Sequence, residues 1–155
     1  MAPLSAPVLE HVADLSVEVS PAIEIGHTAQ GLRRIIPIVG GTVGGPLMRG
    51  RVLAGGADFQ VVGPEGVAVL DARYALELHD GTRVFVCNRA LRRASPEVTA
   101  RLVRGEPVES SQVYFRCVPQ FEAPAGPWQW LAQSVFVATG VRHPDRVELA
   151  VYRVA

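Results

Sequence analysis

The chain contains no lysine; all fifteen of its basic residues are arginine. That absence excludes Schiff-base chemistry, a lysine-linked pyridoxal cofactor and the phosphate-binding lysine of a P-loop. An excess of charge is missing too, because fifteen acids balance the fifteen bases and no basic run occurs. Such a chain lacks the electrostatic footprint of nucleic-acid binding, so no nucleic-acid partner is expected. No apolar stretch approaches the roughly 20 residues of a membrane-spanning helix, and no membrane partner is expected. The opening MAPLSAPVLEHVADL has neither a charged n-region nor an apolar h-region, so no signal peptide is read there. Cysteine is scarce: Cys87 and Cys117 read as buried thiols on an apolar face, which argues against a disulfide framework and fits a reducing cytoplasm. His11, His27, His79 and His143 are scattered without ligand spacing, so neither a metal nor a cofactor is expected.

What is present is mostly alternation of period two. Strands are expected over 9–20, 33–39, 66–78, 82–89, 113–122, 133–141 and 146–154, with 49–53 and 59–62 as pieces of one more. One helix is expected at about 96–104: Ser95 can cap it, Pro96 suits its first position, and Gly105 can take the left-handed turn after it. About eight antiparallel strands, one short helix and no βαβ rhythm predict an all-β fold, a closed barrel in preference to a sandwich. It forms a single domain over 9–155 behind a tail at 1–8.

The run GLRRIIPIVGGTVGGP (31–46) fails as a phosphate loop, lacking both the Gly-Lys-Ser/Thr ending and a following helix. Its glycines read as devices that bend an early strand so that a barrel can close. Downstream, HDG (79–81) separates two alternating runs, a strong hairpin signal. If Asp80-Gly81 is a two-residue turn, Arg73 faces Asn88 and Ala75 faces Val86. Asp71, Arg73, Glu77 and Asn88 then share one side, while Leu70, Ala72, Tyr74, Leu76, Leu78, Phe85 and Cys87 share the other. Two readings stay open. Either the polar side is solvated and the aliphatic side is the core, or the polar side lines a lumen and the aliphatic side packs outward. Asp58 follows a glycine pair and reads either as a turn residue or as an inward carboxylate. Trp128 and Trp130 suit either an apolar pocket or plain core packing.

At this point the motifs GLRRIIPIVGGTVGGP, GGADFQ, DARYALELHDG, NRALR, YFRCVPQFE, WLAQSVFVATG and VYRV, in that order across 10–154, resemble the bacterial and fungal domain of unknown function 3237 family. The resemblance implies a closed antiparallel barrel similar to allene oxide cyclase and dirigent proteins. That family has no general established activity, so it transfers no catalytic residues. The polar residues standing in its motifs here are Arg34, Asp58, Asp71, Arg73, Asn88, Arg89, Tyr114, Arg116 and Glu122. Val43, Cys87 and Cys117 depart mildly from its pattern. Similar barrels host cofactor-free cyclisations, isomerisations and lyase reactions, an analogy at the level of fold.

The functional expectation is a cofactor-free lyase, isomerase or cyclase acting on a small apolar or phenolic compound in the lumen. Arg73 and Arg116 would meet developing oxyanion charge, and Asp58 or Glu122 would be the acid/base. Arg34, Asn88 and Tyr114 would orient the substrate, with Trp130 and Phe136 as apolar wall. The alternative is a lipocalin-like carrier of the same kind of ligand, and a purely structural role is a third possibility. A homodimer or higher homo-oligomer is compatible with each.

Overall fold

Alternation along the chain becomes ten antiparallel strands in a computed structural model that describes all 155 residues. They are β1 (Leu9–Val19), β2 (Ile23–Thr28), β3 (Gly31–Gly44), β4 (Gly50–Val52), β5 (Gly56–Val62), β6 (Val67–Leu78), β7 (Arg83–Arg93), β8 (Tyr114–Glu122), β9 (Val135–Arg142) and β10 (Arg146–Val154). One α-helix, α1 (Pro96–Val103), follows β7, and single 3₁₀ turns occupy Ser110–Gln112 and Gln129–Gln133. No helix is long and apolar enough to cross a membrane.

The sheet closes because β1 pairs with β10 on one edge and with β3 on the other. Around the ring there are eight positions. β1 and β2 run successively along the same edge of β3, and β4 and β5 together fill the place between β3 and β6. The expected barrel of about eight strands is therefore the observed one, with two of its strands broken. β2 is an addition to the expected set, and β3 runs on through the glycines to Gly44.

Both breaks have local causes. Pro21 ends β1, and Pro37, which has no N–H, lies opposite that break; its carbonyl accepts from the Ser20 N–H at 3.1 Å. The proline thus sits where no ladder donor is required. Beside it, Val39 is an extra residue between the pairs Glu18–Gly40 and Val19–Ile38, a bulge that turns β3. Gly41 follows with φ at 141°, and a Cβ there would stand 2.0 Å from the Ser16 carbonyl oxygen. The glycine run is a bending and close-approach device, not a ligand loop.

The β6–β7 hairpin corrects the expected register. Its loop has three residues, His79-Asp80-Gly81: the Leu78 N–H bonds the Thr82 carbonyl at 2.8 Å, and Gly81 takes φ 87°. Arg73 therefore faces Cys87, and Asn88 faces Ala72. A shift of one residue moves every β7 side chain to the other face. Phe85, Cys87 and Arg89 turn outward beside Asp71 and Arg73, while Val84, Val86, Asn88, Ala90 and Arg92 turn inward with the aliphatic side of β6. The inside of the barrel is the aliphatic side, and the reading with a lumen on the polar face is set aside.

That interior is filled at one end and open at the other. Near the 79–81 hairpin, Met48, Leu76, Val84, Leu131 and Phe136 are fully buried, and Phe136 meets Phe121 edge to face at 4.9 Å. Trp128 closes this end, with its Nε1–H donating to Asp80 at 2.8 Å. The opposite end is roofed by α1. Ser95 Oγ caps the helix by accepting from the Val98 N–H at 3.1 Å, and Val98, Thr99 and Leu102 form its buried face.

Candidate functional site

Under α1 lies a cavity of about 490 Å³, within the usual range of small-molecule sites. Its walls are largely aliphatic, including Ile36, Ile38, Leu70 and Leu149, and the C-terminal turn of α1, Leu102 to Gly105, forms its roof. Into it project Arg34, Asp58, Gln60, Tyr74, Asn88, Arg92 and Arg142. Pairing between strands sets their levels. Ile36, Asp58, Ala72 and Asn88 are successive cross-strand neighbours around the wall, so only the small Ala72 separates the carboxylate from the amide. Arg34 and Gln60 pair one layer nearer the roof, and Arg92, flanked by Ala68 and Phe115, lies beyond them.

Arg34 is buried, and each of its three guanidinium nitrogens is engaged. Its Nε donates to Glu24 at 2.8 Å, its Nη1 to the Gln60 side-chain oxygen at 3.3 Å, and its Nη2 to the Val103 carbonyl at 3.1 Å. Arg142 donates from Nη1 to the Glu106 carbonyl at 2.7 Å and from Nη2 to the Leu102 carbonyl at 3.0 Å. Two arginines from separate strands, β3 and β9, thus clamp the carbonyl end of α1, the end where positive charge is favourable. The roof is held by groups that also line the cavity.

Gln60 passes this order inward. With its oxygen committed to Arg34, its Nε2 donates to Asp58 Oδ2 at 2.9 Å, and the Asp71 backbone N–H donates to Asp58 Oδ1 at 3.1 Å. Asp58 is partly exposed and lines the cavity. Desolvation holds its carboxyl above the ordinary aspartate value; the Gln60 hydrogen bond and the Arg92 charge oppose that shift without cancelling it. Burial pushes the Tyr74 phenol well above its ordinary value, so it remains a neutral donor.

Arg92 is only 4% exposed, and its Nη2 has no hydrogen-bond partner. Desolvation, with the Arg142 and Arg34 charges, brings it down to about 10, and Asp58 supports it only through space. Asn88 is equally buried, and its Oδ1 is also without a partner. A cationic donor and an amide acceptor therefore stand ready on one face of β7. No three His, Cys, Asp or Glu side chains gather as metal ligands.

Of the residues singled out in the sequence, Arg34, Asp58 and Asn88 come together in this cavity. The others do not. Arg73 stands outside, half exposed and paired with Asp71 at 3.2 Å. Tyr114, Arg116 and Glu122 are outward residues of β8, and the Arg93 and Arg116 guanidinium groups lie over the Tyr114 ring at 4.8 and 5.4 Å. Strand alternation is the reason: Phe115, Cys117 and Phe121 take the inward positions of β8. Trp130 and Phe136 belong to the packed end, 6.1 Å apart, and do not line the cavity. Cys87 is a half-buried outer-wall thiol bonded to Asp71 rather than a member of the apolar face, whereas Cys117 is buried and pushed up to about 11 by desolvation. Gln60, Tyr74, Arg92 and Arg142 are site residues the sequence reading missed. A three-residue loop at 79–81 was the one available signal, because it alone puts Asn88 and Arg92 in phase with Tyr74.

A second concavity, about 600 Å³, lies on the outer wall among Leu9, Leu91, Val118 and Tyr152. It is open and mainly apolar, and the arginines that line it, Arg89 and Arg116, are exposed to solvent, so the lumen with its buried polar groups is the stronger candidate.

Comparison with known proteins agrees with this architecture. A family model described as "Protein of unknown function (DUF3237)" matches residues 7–154. A "UPF0311 protein" from Bradyrhizobium diazoefficiens is 41% identical over 145 residues, covering 94% of this chain and 95% of that one. The crystal structure of a conserved protein of unknown function from Rhodopseudomonas palustris superposes with a TM-score of 0.91 at 38% identity, over 98% of this chain and 100% of the other. A β-barrel-like protein from Acinetobacter baumannii gives 0.87 at 36% identity, with both chains fully covered. An enzyme from Penicillium herquei shares the fold at 17% identity, with a TM-score of 0.74 over 100% of this chain and 99% of that one.

Proposed function

This chain belongs to the DUF3237 family, and on that premise we propose that it is a cofactor-free enzyme of lyase, isomerase or cyclase type, acting on a small apolar or phenolic compound held in the lumen beneath α1. One observation carries the reading: a single desolvated carboxylate, Asp58, stands in a mainly aliphatic cavity beside a guanidinium that does not bond to it. A carrier has no use for such a group, which is costly to bury, whereas an acid/base requires a raised value of this kind.

In this reading the Asp58 carboxylate takes a proton from an acidic C–H or O–H of the substrate. The freed electron pair moves onto a substrate oxygen, in a lumen where the buried Arg92 charge supplies positive potential through space. Return of the proton at another atom gives an isomer. Its delivery from Asp58 to a departing leaving group gives elimination; addition of the freed oxygen pair to an unsaturated carbon of the same molecule, with the proton returned to the neighbouring carbon, gives a ring. The backbone N–H of Asp71 and the Gln60 amide keep both oxygens of Asp58 oriented, while Tyr74 and Asn88 position the substrate. The Penicillium herquei protein of the same fold is an enzyme, so a barrel of this shape can house chemistry.

The test compares wild type with Asp58→Asn, both checked for folding by circular dichroism, incubated with a bacterial metabolite extract and followed by mass spectrometry. The expected result is a compound converted by wild type to an isomer, or to a product of lower mass, and retained unchanged by the variant. A compound retained unchanged by both proteins would establish the carrier reading instead.

A further inference from the structure

The charges facing the lumen do not balance. Arg34, Arg92, Arg104 and Arg142 line it against Glu24, Asp58 and Asp145, four positive groups to three negative ones, and Arg104 and Asp145 are paired outside it with Glu106 and Arg146. Glu24 is half exposed at the rim and is taken up by Arg34, and the Arg142 donors end on neutral carbonyls. The surplus therefore falls on Arg92, the one luminal arginine with a buried, unpartnered Nη2. A guanidinium removed from water without a hydrogen-bonded counter-charge is costly, and an anionic ligand relieves that cost.

Position adds shape to charge. Asn88, Ala90 and Arg92 are alternate residues of β7 and all line the cavity, so a buried amide oxygen and a buried guanidinium nitrogen, both unpartnered, belong to one wall with an alanine between them. Four residue steps along the strand separate the two polar groups, about 13 Å between their Cα atoms. Ala90, Ala72 and Leu70 form a low apolar floor along that path. Asp58 stands at the Asn88 end, across Ala72.

Resting on the reading that the lumen is the ligand site, we infer that its ligand is a monoanion: an apolar carboxylic acid, about two fused rings long, whose carboxylate docks on Arg92 and whose far hydroxyl donates to Asn88 Oδ1. The carboxylate is a permanent handle and the hydroxyl end is the one presented to Asp58. A neutral phenol leaves Arg92 unpaired, and a dianion places its second charge in the aliphatic wall.

Calorimetric titration of the full chain with 6-hydroxy-2-naphthoate, 2-naphthoate and 2-naphthol at pH 7 tests this. Wild type is expected to bind 2-naphthoate at least tenfold more tightly than 2-naphthol, and the hydroxynaphthoate more tightly than either. Arg92→Met should abolish the preference for naphthoate over naphthol, and Asn88→Ala should abolish the gain from the hydroxyl alone. Wild type binding 2-naphthol as tightly as 2-naphthoate would overturn the inference while leaving the lumen as a ligand site. Absence of binding by all three would overturn the site reading and the inference with it. The wild-type series decides the matter even if a variant fails to fold, although Arg92→Met removes an unpaired buried charge and should unfold at no lower denaturant concentration than wild type.

Discussion

Replacing Asp58 by asparagine should change stability in a pH-dependent way, with a sign the structure dictates. Asp58 accepts two hydrogen bonds, from the Asp71 N–H and from Gln60 Nε2, and Gln60 cannot turn over because its oxygen already receives Arg34. An asparagine can accept from one donor only, so its amide nitrogen meets a second donor, at a cost of about 1–3 kcal/mol. At low pH, where the aspartate is neutral as well, the variant should be the less stable protein. The native Asp58 value is raised, so between the unfolded value, about 3.9, and that native value the folded chain holds a proton that the unfolded chain has released. Across this window wild-type stability falls as pH rises, and above it the loss is complete. The variant lacks this slope and gains on wild type by about 1.4 kcal/mol for each unit by which the native value is raised. Urea denaturation of both proteins at half-unit steps from pH 3 to 8 measures the difference, in which the slopes of all other groups cancel. The stability of variant minus wild type should climb and then level off. A flat difference, or one that falls with pH, would refute a desolvated luminal carboxylate and with it the acid/base assignment.

Arg34→Met keeps the aliphatic stem but leaves Gln60 and the Val103 carbonyl without their donor; a loss of about 2–4 kcal/mol is expected, with amide exchange in 96–103 accelerating beyond the global change. Exchange no faster there than elsewhere would deny the clamp on α1. An aromatic disulfide reagent should label Cys87 alone in the folded protein and both cysteines after denaturation; rapid native labelling of Cys117 would contradict the β8 alternation. Gly41→Ala should destabilise by at least about 2 kcal/mol, because its Cβ would collide with the Ser16 carbonyl oxygen; a change under 0.5 kcal/mol in chemical denaturation would show that the strand bends elsewhere.

Legibility in the sequence was uneven, for reasons visible at single residues. Period-two runs marked seven strands and the two pieces of an eighth, and Ser95, Pro96 and Gly105 bracketed the helix, because these signals act between neighbours in the chain. β2 escaped notice because its residues are mostly exposed on both faces and carry no clean alternation. The site was legible in part: Asp58, Arg34 and Asn88 were marked, but Arg73, Tyr114, Arg116 and Glu122 were placed with them and stand on the other side of the wall. For β6 and β8 the choice of the aliphatic face as the inside made that difference, and in β7 the three-residue turn at 79–81 put Asn88 on the luminal face.

The sequence by itself determined that the chain is all-β and antiparallel, that it has no lysine chemistry, and which residues of each strand share a face. Those properties follow from backbone pleating and turn preferences, which are local. Only the tertiary structure decided which face became the inside, that the barrel is solid at the Trp128 end and hollow under α1, and that Arg92 is left without a partner there. Burial of a charge is a property of what surrounds it in space, and Arg92 owes its surroundings to Ala68, Phe115 and the roof helix, which come from three separate parts of the chain.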